Sequence, residues 1–243
     1  MIAPVGSVLH DLAMTWHRQP LVAFDLETTG IDPHQDRVVT AAVLHIDPRD
    51  GQVETYSWLI NPGCDIPEPA TAVHGITTEH AQTHGREPAE ALLEIAAHIG
   101  HAASTGAPLV VYNAPYDLTM LHAECARHDT VAPTVGPVID PLVIDRGLDR
   151  YRPGSRKLTA TAAHYGVPIS EDEAHGASAD ALAAARVAWK LATGYPEQLG
   201  SATLVDLQAQ QAAWHEDWAA GFEQYLHRQG REDAEIPRGW PTR

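Results

Sequence analysis

Four acidic side chains and one histidine fall in three short segments beside apolar stretches, and this pattern limits what the chain can fold into. Asp25 and Glu27 end one apolar run, Asp117 follows a second, and His175 and Asp180 precede a third. An isolated carboxylate is costly to bury, so acids in these positions need a cation nearby. Carboxylate oxygens are the ligands that Mg²⁺ and Mn²⁺ prefer, and a neutral imidazole can accept a proton near neutral pH. The pattern predicts metal-assisted hydrolysis of a phosphodiester.

The composition excludes several classes of protein. The 243 residues, 44% hydrophobic and 20% charged, suit one sizeable domain with an appendage. No apolar run approaches the ~20 residues of a membrane span, and His10 and Asp11 stand where a signal peptide would be apolar. Cys64 and Cys125 form neither a disulfide framework nor a zinc-binding spacing. We therefore expect a cytoplasmic protein with no membrane partner.

The charge of the chain is strongly negative but unevenly distributed. A net charge of −16 argues against a protein that coats nucleic acid, because phosphate affinity normally comes from basic surface. Five of the 16 basic residues nevertheless fall within twelve positions: Arg146, Arg150, Arg152, Arg156 and Lys157. A solvated loop and helix end is one interpretation of this cluster, and guidance of phosphate toward the acidic site is the other.

The hydrophobic pattern predicts an α/β fold with a mixed sheet flanked by helices. Strands are predicted at 20–26, 38–46, 53–60 and 109–112, and helices from Pro88, around Pro115, and at 156–165 and 178–192, the last capped by Ser178. Asp25 and Glu27 are two residues apart on a strand, so both project from one face. Since ligands of open α/β sheets gather beyond the strand ends, we expect Asp117 to lie near them.

Helical periodicity places the last acid on an inward face. Asp180 shares a helix face with Ala184, Val187 and Leu191, so its carboxylate points the way the apolar residues point. His175 lies five residues earlier and cannot share that face within a helix, which predicts that it belongs to the preceding loop.

The sequence divides into a lead-in over residues 1–19, a central domain over 20–194 and a C-terminal part over 195–243. Apolar residues in the C-terminal part recur at steps of three and four, which predicts an added helix with one stripe: Leu204, Leu207, Gln211, Trp214, Trp218, Phe222 and Tyr225. The stripe either packs on the domain or docks a protein partner. Residues 228–243 are polar and are expected to be loose or draped over the domain.

Four segments resemble the motifs of the DEDDh group of 3′–5′ exonucleases, which includes proteins like the epsilon subunit of DNA polymerase III. They are Asp-Leu-Glu-Thr-Thr-Gly (25–30), Val-His-Gly-Ile-Thr (73–77), Asn-Ala-Pro-Tyr-Asp (113–117) and His-Gly-Ala-Ser-Ala-Asp-Ala (175–181). The related DEDDy group has a tyrosine where this chain has Gly176. Tyr112 stands where many relatives have a histidine. The resemblance implies an RNase H-like fold for residues 20–194, an exonuclease domain.

The resemblance also implies a role for each acid. Asp25, Glu27 and Asp180 would hold one Mg²⁺ or Mn²⁺ ion, and Asp25 would bridge to a second ion that Asp117 helps to place. His175 would act as general base on the attacking water. The product implied is a nucleoside 5′-monophosphate released from the 3′ end of nucleic acid, with single-stranded DNA as the favoured substrate.

A second set of residues is implied to contact the terminal nucleotide, namely Thr28, His74 and Asn113. Two alternative functions remain open. An exoribonuclease of the oligoribonuclease or ribonuclease T kind would use the same catalytic residues, because discrimination depends on contacts to the terminal sugar. A nucleic-acid-binding subunit without turnover is the other, although binding alone does not require four carboxylates. With so few basic residues the enzyme should hold long strands weakly, so a protein partner at the C-terminal helix is expected.

Overall fold

A mixed sheet of five strands lies at the centre of the computed structural model, which describes residues 15–169 and 176–243. In chain order the strands are β1 (Leu21–Thr28), β2 (Val38–Asp47), β3 (Gln52–Leu59), β4 (Leu109–Val110) and β5 (Val138–Ile139). Their spatial order is β3-β2-β1-β4-β5, with the first three antiparallel and β4 and β5 parallel to β1. The predicted mixed sheet is confirmed. Strand β5 was not predicted, because two residues carry no periodicity.

Helices cover both faces of this sheet. They are α1 (Glu68–His74), α2 (Thr78–His84), α3 (Pro88–Thr105), α4 (Ala114–Arg127), α5 (Pro141–Leu148), α6 (Leu158–His164), α7 (Ala177–Gly194) and α8 (Leu204–Arg228). Every helix among the described residues is too short or too polar to cross a lipid bilayer. The predicted cap of α7 was wrong: Gly176 occupies the N-cap position and Ser178 lies within the first turn. Short helices α1, α2 and α5 were not predicted.

Alternation along β1 separates two cores and places the acids. Val22, Phe24 and Leu26 point to one face, where they pack with buried residues of α3 and α4. Leu21 and Ala23 point to the opposite face, toward α7. Asp25 and Glu27 continue the second series, so both carboxylates project on the side that α7 covers.

Helix α7 lies against β1 through small side chains. Ala181, Ala184 and Ala188 are buried in the second core and leave little bulk between the helix and the strand. Asp180, in the first turn of α7, is thereby carried next to the end of β1.

The C-terminal helix α8 packs against the edge of the sheet formed by β5. Gln211 is fully buried, and its side chain donates to the carbonyl of Val138 at 2.9 Å and accepts from the backbone N–H of Asp140 at 2.7 Å. Gln208 accepts from the N–H of Val138 at 2.9 Å. These bonds satisfy edge-strand groups that would otherwise be left unpaired. Packing of this helix on the domain is therefore observed, with Leu207 buried beside the same edge.

The polar residues after α8 are draped over the domain. Trp240 packs against the first core, and the backbone N–H of Arg243 donates to the Thr119 hydroxyl at 3.0 Å. The carbonyl of Pro237 lies 3.3 Å from the Nε2 of His215. The division of the chain at residues 20 and 194 stays a prediction.

Candidate active site

Three carboxylates from two elements meet at the end of β1. Asp25, Glu27 and Asp180 each offer one oxygen, and these three oxygens all lie within 4.8 Å of one another. Strand β1 supplies the first two by alternation, and the first turn of α7 supplies the third. A set of hard oxygen donors at this spacing matches what Mg²⁺ or Mn²⁺ requires.

Asp117 reaches the same place from the first turn of α4. Its side chain is buried, and its Oδ1 accepts a hydrogen bond from the backbone N–H of Leu26 at 3.1 Å. Leu26 lies between the two acids of β1, so this bond fixes Asp117 beside them. Together with Asp25, Glu27 and Asp180, Asp117 lines a cleft of about 510 Å³.

The clustering of these acids is electrostatically unfavourable in the absence of a cation. Burial raises the pKa of Asp25 well above its usual value, and the charges of Asp117, Glu27 and Asp180 raise it further. Burial, followed by the charge of Asp180, raises the pKa of Glu27 to about 7. Burial also raises the pKa of Asp117, although the Leu26 N–H opposes that shift. A divalent cation among these oxygens would relieve both the burial cost and the repulsion, so the residues fit the expected metal.

His175 lies outside the described residues, and its role as general base stays a prediction. Helix α7 begins directly after Gly176, which is its N-cap.

The three residues expected at the terminal nucleotide are placed differently from one another. Asn113 is exposed and lines the acidic cleft. Thr28 ends β1, and its hydroxyl lies 2.6 Å from that of Tyr116, which does line the cleft. His74 ends α1 with its Nδ1 accepting from the N–H of Ile76 at 3.1 Å, and it is not part of the cleft lining.

Asp140 holds Asn113 in position and was missed by sequence reasoning. Its buried carboxylate accepts from the backbone N–H groups of Asn113 at 3.0 Å and Ala114 at 2.9 Å, and it also caps α5 by accepting from Leu142 at 3.0 Å. These bonds secure the left-handed backbone of Asn113, whose φ is 67°. The pair Asp140-Pro141 is a helix-start signal that could have revealed α5, although it gives no hint of the contact with Asn113.

The residues of the basic cluster lie in two different environments. Arg152 is buried and forms a 2.9 Å ion pair with the fully buried Asp145, so the solvated interpretation is wrong for this residue. Arg156 also pairs with Asp145 but reaches the acidic cleft, which Arg146 and Lys157 line as well. Positive side chains therefore face the carboxylates across the cleft.

Tyr112 and Tyr116 also line the cleft, where sequence reasoning had assigned them no role. The hydroxyl of Tyr112 donates to the carbonyl of Arg156 at 2.6 Å and lies 2.8 Å from the hydroxyl of Thr161, from which it can accept. These bonds tie the basic loop to the end of β4. Tyr112 thus helps to hold the cationic side of the cleft in place.

The chain is similar in sequence to DNA polymerase III epsilon proteins. A DNA polymerase III subunit epsilon-like protein of Rhodobacter capsulatus is 33% identical over 177 residues, covering 70% of this chain and 23% of the relative. The DNA polymerase III subunit epsilon of Rickettsia conorii is 29% identical over 180 residues, covering 71% of this chain and 74% of the relative. The chain thus spans less than a quarter of the first relative and about three quarters of the second.

Solved structures of exonuclease I share the fold. One has a TM-score of 0.61 at 22% identity and covers 72% of this chain and 41% of that chain. Another, E. coli exonuclease I in complex with a dT13 oligonucleotide, has a TM-score of 0.61 at 22% identity and covers 73% of this chain and 42% of that chain. The RNase H-like sheet and added C-terminal helix predicted from the sequence are confirmed.

The sequence model of the family described as Exonuclease (RNase_T) matches residues 22–188, well over half of the chain. That span begins in β1 and ends within α7, so it includes all four carboxylates of the cleft. The chain belongs to the exonuclease family.

Proposed function

We propose that this chain is a metal-dependent 3′–5′ exonuclease that hydrolyses phosphodiester bonds at the 3′ end of nucleic acid, with residues 20–194 as the catalytic domain. The observation that carries the proposal is the convergence of Asp25, Glu27 and Asp180, whose oxygens lie within 4.8 Å of one another. Asp117 lines the same cleft opposite basic side chains. Acids that repel one another in a partly buried cleft, facing cations, suit a site for a metal and a phosphate.

The site is proposed to take two Mg²⁺ or Mn²⁺ ions, as the resemblance to the DEDDh group implies. Asp25, Glu27 and Asp180 would hold one, and Asp25 with Asp117 would help to hold the other. When bound, such ions supply the positive charge that activates water and stabilises the leaving 3′ oxygen. His175 would accept the proton of the attacking water, a role that suits an imidazole at neutral pH.

The basic side of the cleft has a separate task. Arg146, Arg156 and Lys157 lie where they can bind the phosphates of the substrate and offset the negative charge of the chain. Asn113 presents an exposed amide at the cleft and can contact the terminal nucleotide. Thr28 and His74 stay predictions for that contact.

Single-stranded DNA is the favoured substrate. Support comes from exonuclease I, which has the same fold and has been solved with dT13. A cytoplasmic location and a protein partner at α8 stay predictions.

The experiment that tests this function uses a DNA strand and an RNA strand of the same length. Each is prepared in two forms, one labelled at the 3′ end and one at the 5′ end. Incubated with the protein and Mn²⁺, a 3′-labelled strand should release labelled nucleoside 5′-monophosphate at once, while a 5′-labelled strand should shorten step by step. A strand blocked by a 3′-terminal phosphate serves as the control and should resist. Internal cleavage, or failure to cleave both the DNA and the RNA strand, would overturn the proposal.

A further inference from the structure

Three aromatic side chains form a ladder near the end of α8. Trp218 and Phe222 have ring centroids 5.5 Å apart with planes inclined by 14°, and Phe222 and Tyr225 have centroids 6.3 Å apart at 13°. Phe222 is 38% exposed and Tyr225 is 49% exposed. Leu207, Gln211 and other buried residues hold the helix to the domain, so the exposed rings of Phe222 and Tyr225 are not needed for that packing.

Two arginines accompany the ladder. The guanidinium of Arg146 lies 3.7 Å from the centroid of the Trp218 ring, a cation–π contact. Arg150 passes close to Gly221, where a Cβ would come within 3.0 Å of its guanidinium nitrogen. Among residues 15–169 and 176–243, no carboxylate lies within 4 Å of the nitrogens of either arginine. Neither charge is therefore neutralised by an ion pair with a described residue.

The ladder and the arginines line a groove that shares two lining residues with the acidic cleft. The groove has a volume of about 960 Å³ and includes Asp217 as its one acidic side chain among the described residues. Arg146 and Arg156 line both the groove and the cleft that contains the four carboxylates. A strand whose 3′ end lies on those carboxylates can pass these two arginines and continue along α8.

We propose that this groove binds the nucleotides upstream of the 3′ end of a single strand, with bases stacked on the exposed rings of Phe222 and Tyr225 and phosphates on Arg146 and Arg150. The inference rests on the proposed function for the position of the 3′ end. Aromatic rings accept any base because every base has a flat face, and arginine supplies the backbone contact. Paired bases cannot stack in this way, so the groove selects single strands over duplexes.

Charge and continuity decide between nucleic acid and a protein as the occupant. Aromatic and arginine side chains are also common at protein hot spots. In this groove, however, three arginines face one aspartate in a chain of net charge −16, and two of the arginines belong to the catalytic cleft as well. A polyanion threaded from that cleft fits this arrangement.

The test measures strand binding in the absence of turnover. Fluorescein-labelled (dT)₁₂ is titrated with the full chain in EDTA at low salt, and binding is followed by fluorescence anisotropy. The double variant Phe222→Ala/Tyr225→Ala should raise Kd roughly 30-fold or more, since each base–aromatic stack contributes substantially to affinity. The matched control Trp189→Ala removes a 43% exposed ring that lies outside the groove and should change Kd by less than about twofold. Unchanged binding by the double variant would overturn the proposal and leave this face to a protein partner.

Two further variants keep the test decisive. Phe222→Leu/Tyr225→Leu preserves apolar surface, so it guards against misfolding, yet it should weaken (dT)₁₂ binding almost as much as the alanine pair. Addition of (dT)₁₂ should quench tryptophan emission in the wild type, and Trp214→Phe/Trp218→Phe, which removes both tryptophans of the groove, should remove most of that quench. Full binding by the leucine variant, or a quench that survives in Trp214→Phe/Trp218→Phe, would contradict binding of the strand in this groove.

Hydrolysis of p-nitrophenyl thymidine 5′-monophosphate with Mn²⁺ separates this inference from the proposed function, because that ester is too short to reach the groove. If the ester is cleaved but the variants bind (dT)₁₂ normally, the groove assignment is wrong and the exonuclease assignment stands. If neither ester nor strand is cleaved while the binding losses appear, the groove assignment stands and the catalytic one fails.

Discussion

The carboxylates of this chain include two groups with opposite surroundings, namely the fully buried and paired Asp145 and the largely half-buried acids of the cleft. The Asp145 carboxylate accepts hydrogen bonds from the guanidinium groups of Arg152 and Arg156. It also accepts one from the hydroxyl of Tyr165 at 2.8 Å. Burial alone would raise the pKa of Asp145, but these donors lower it below its usual value. In the acidic cleft, burial and neighbouring acids raise the pKa of Asp25 instead. Loss of a paired buried acid destabilises the fold because its partner is left alone, whereas acids that repel one another fit a ligand that brings positive charge.

The strongest effect is expected in the cleft. Asp25→Asn should lower the rate of strand hydrolysis roughly 10³-fold or more, because bound metal contributes several kcal/mol of charge stabilisation to the reaction. The same change should leave the melting temperature equal or higher, since it removes a repelled charge. Rates come from release of labelled nucleotide and stability from circular dichroism. Wild-type turnover by Asp25→Asn would refute the role of this acid.

The matching change at the paired acid, Asp145, should lower stability instead. Asp145→Asn leaves Arg152 buried without its counter-charge, so the free energy of unfolding should fall by about 3–5 kcal/mol. Urea denaturation followed by tryptophan fluorescence measures this loss. A variant as stable as the wild type would show that the two groups do not differ as described.

The pH dependence of stability extends the contrast between the two groups. The folded state raises the pKa of Glu27 from 4.5 to about 7, so the metal-free protein loses stability as pH rises through this window. Glu27→Gln removes that loss, so in EDTA it should stabilise the protein by about 2 kcal/mol at pH 8, after allowance for solvent screening, and by less at pH 5.

Denaturation of both proteins at the two pH values gives the difference directly, and Glu216→Gln, an exposed acid on α8, provides the matched control. An equal effect of Glu27→Gln at pH 5 and pH 8 would show that ionisation of the Glu27 carboxyl is not the cause of the loss.

The smallest expected effect is on the salt dependence of strand binding, and it follows from a comparison of Arg150 with Arg152. Arg150 has no carboxylate partner within 4 Å among the described residues, whereas Arg152 pairs with Asp145. Arg150→Gln should reduce the slope of log Kd for (dT)₁₂ against log salt by about 0.7, as expected for one lost phosphate contact on a single strand. Titrations at three salt concentrations measure it. An unchanged slope would place Arg150 outside the strand path.

Much of this arrangement was predictable from local patterns. Strand alternation placed Asp25 and Glu27 on one face, and helical spacing turned Asp180 inward, as the structure shows. The mixed sheet followed from apolar runs separated by turns. These predictions succeeded because each depends on a few adjacent residues.

What sequence reasoning missed depends on contacts between distant parts of the chain. Asp140 accepts from Asn113 across 27 positions, and Gln211 bonds to Val138 across 73. Neither pair leaves a periodic signal. The stripe of α8 was predicted, but its periodicity could not show that Gln211 is buried while Phe222 and Tyr225 are exposed, because burial depends on packing against distant elements.

The most direct test asks whether Asp25, Glu27 and Asp180 share a cation. Crystals soaked in Mn²⁺ and measured at the manganese absorption edge locate the ion by its anomalous signal. We expect a peak bonded to one oxygen of each acid at about 2.0–2.2 Å, near the octahedral distances typical of such ions. A saturating soak that leaves this cleft without a peak, or puts the ion on other side chains, would contradict the assignment of these acids as a metal site.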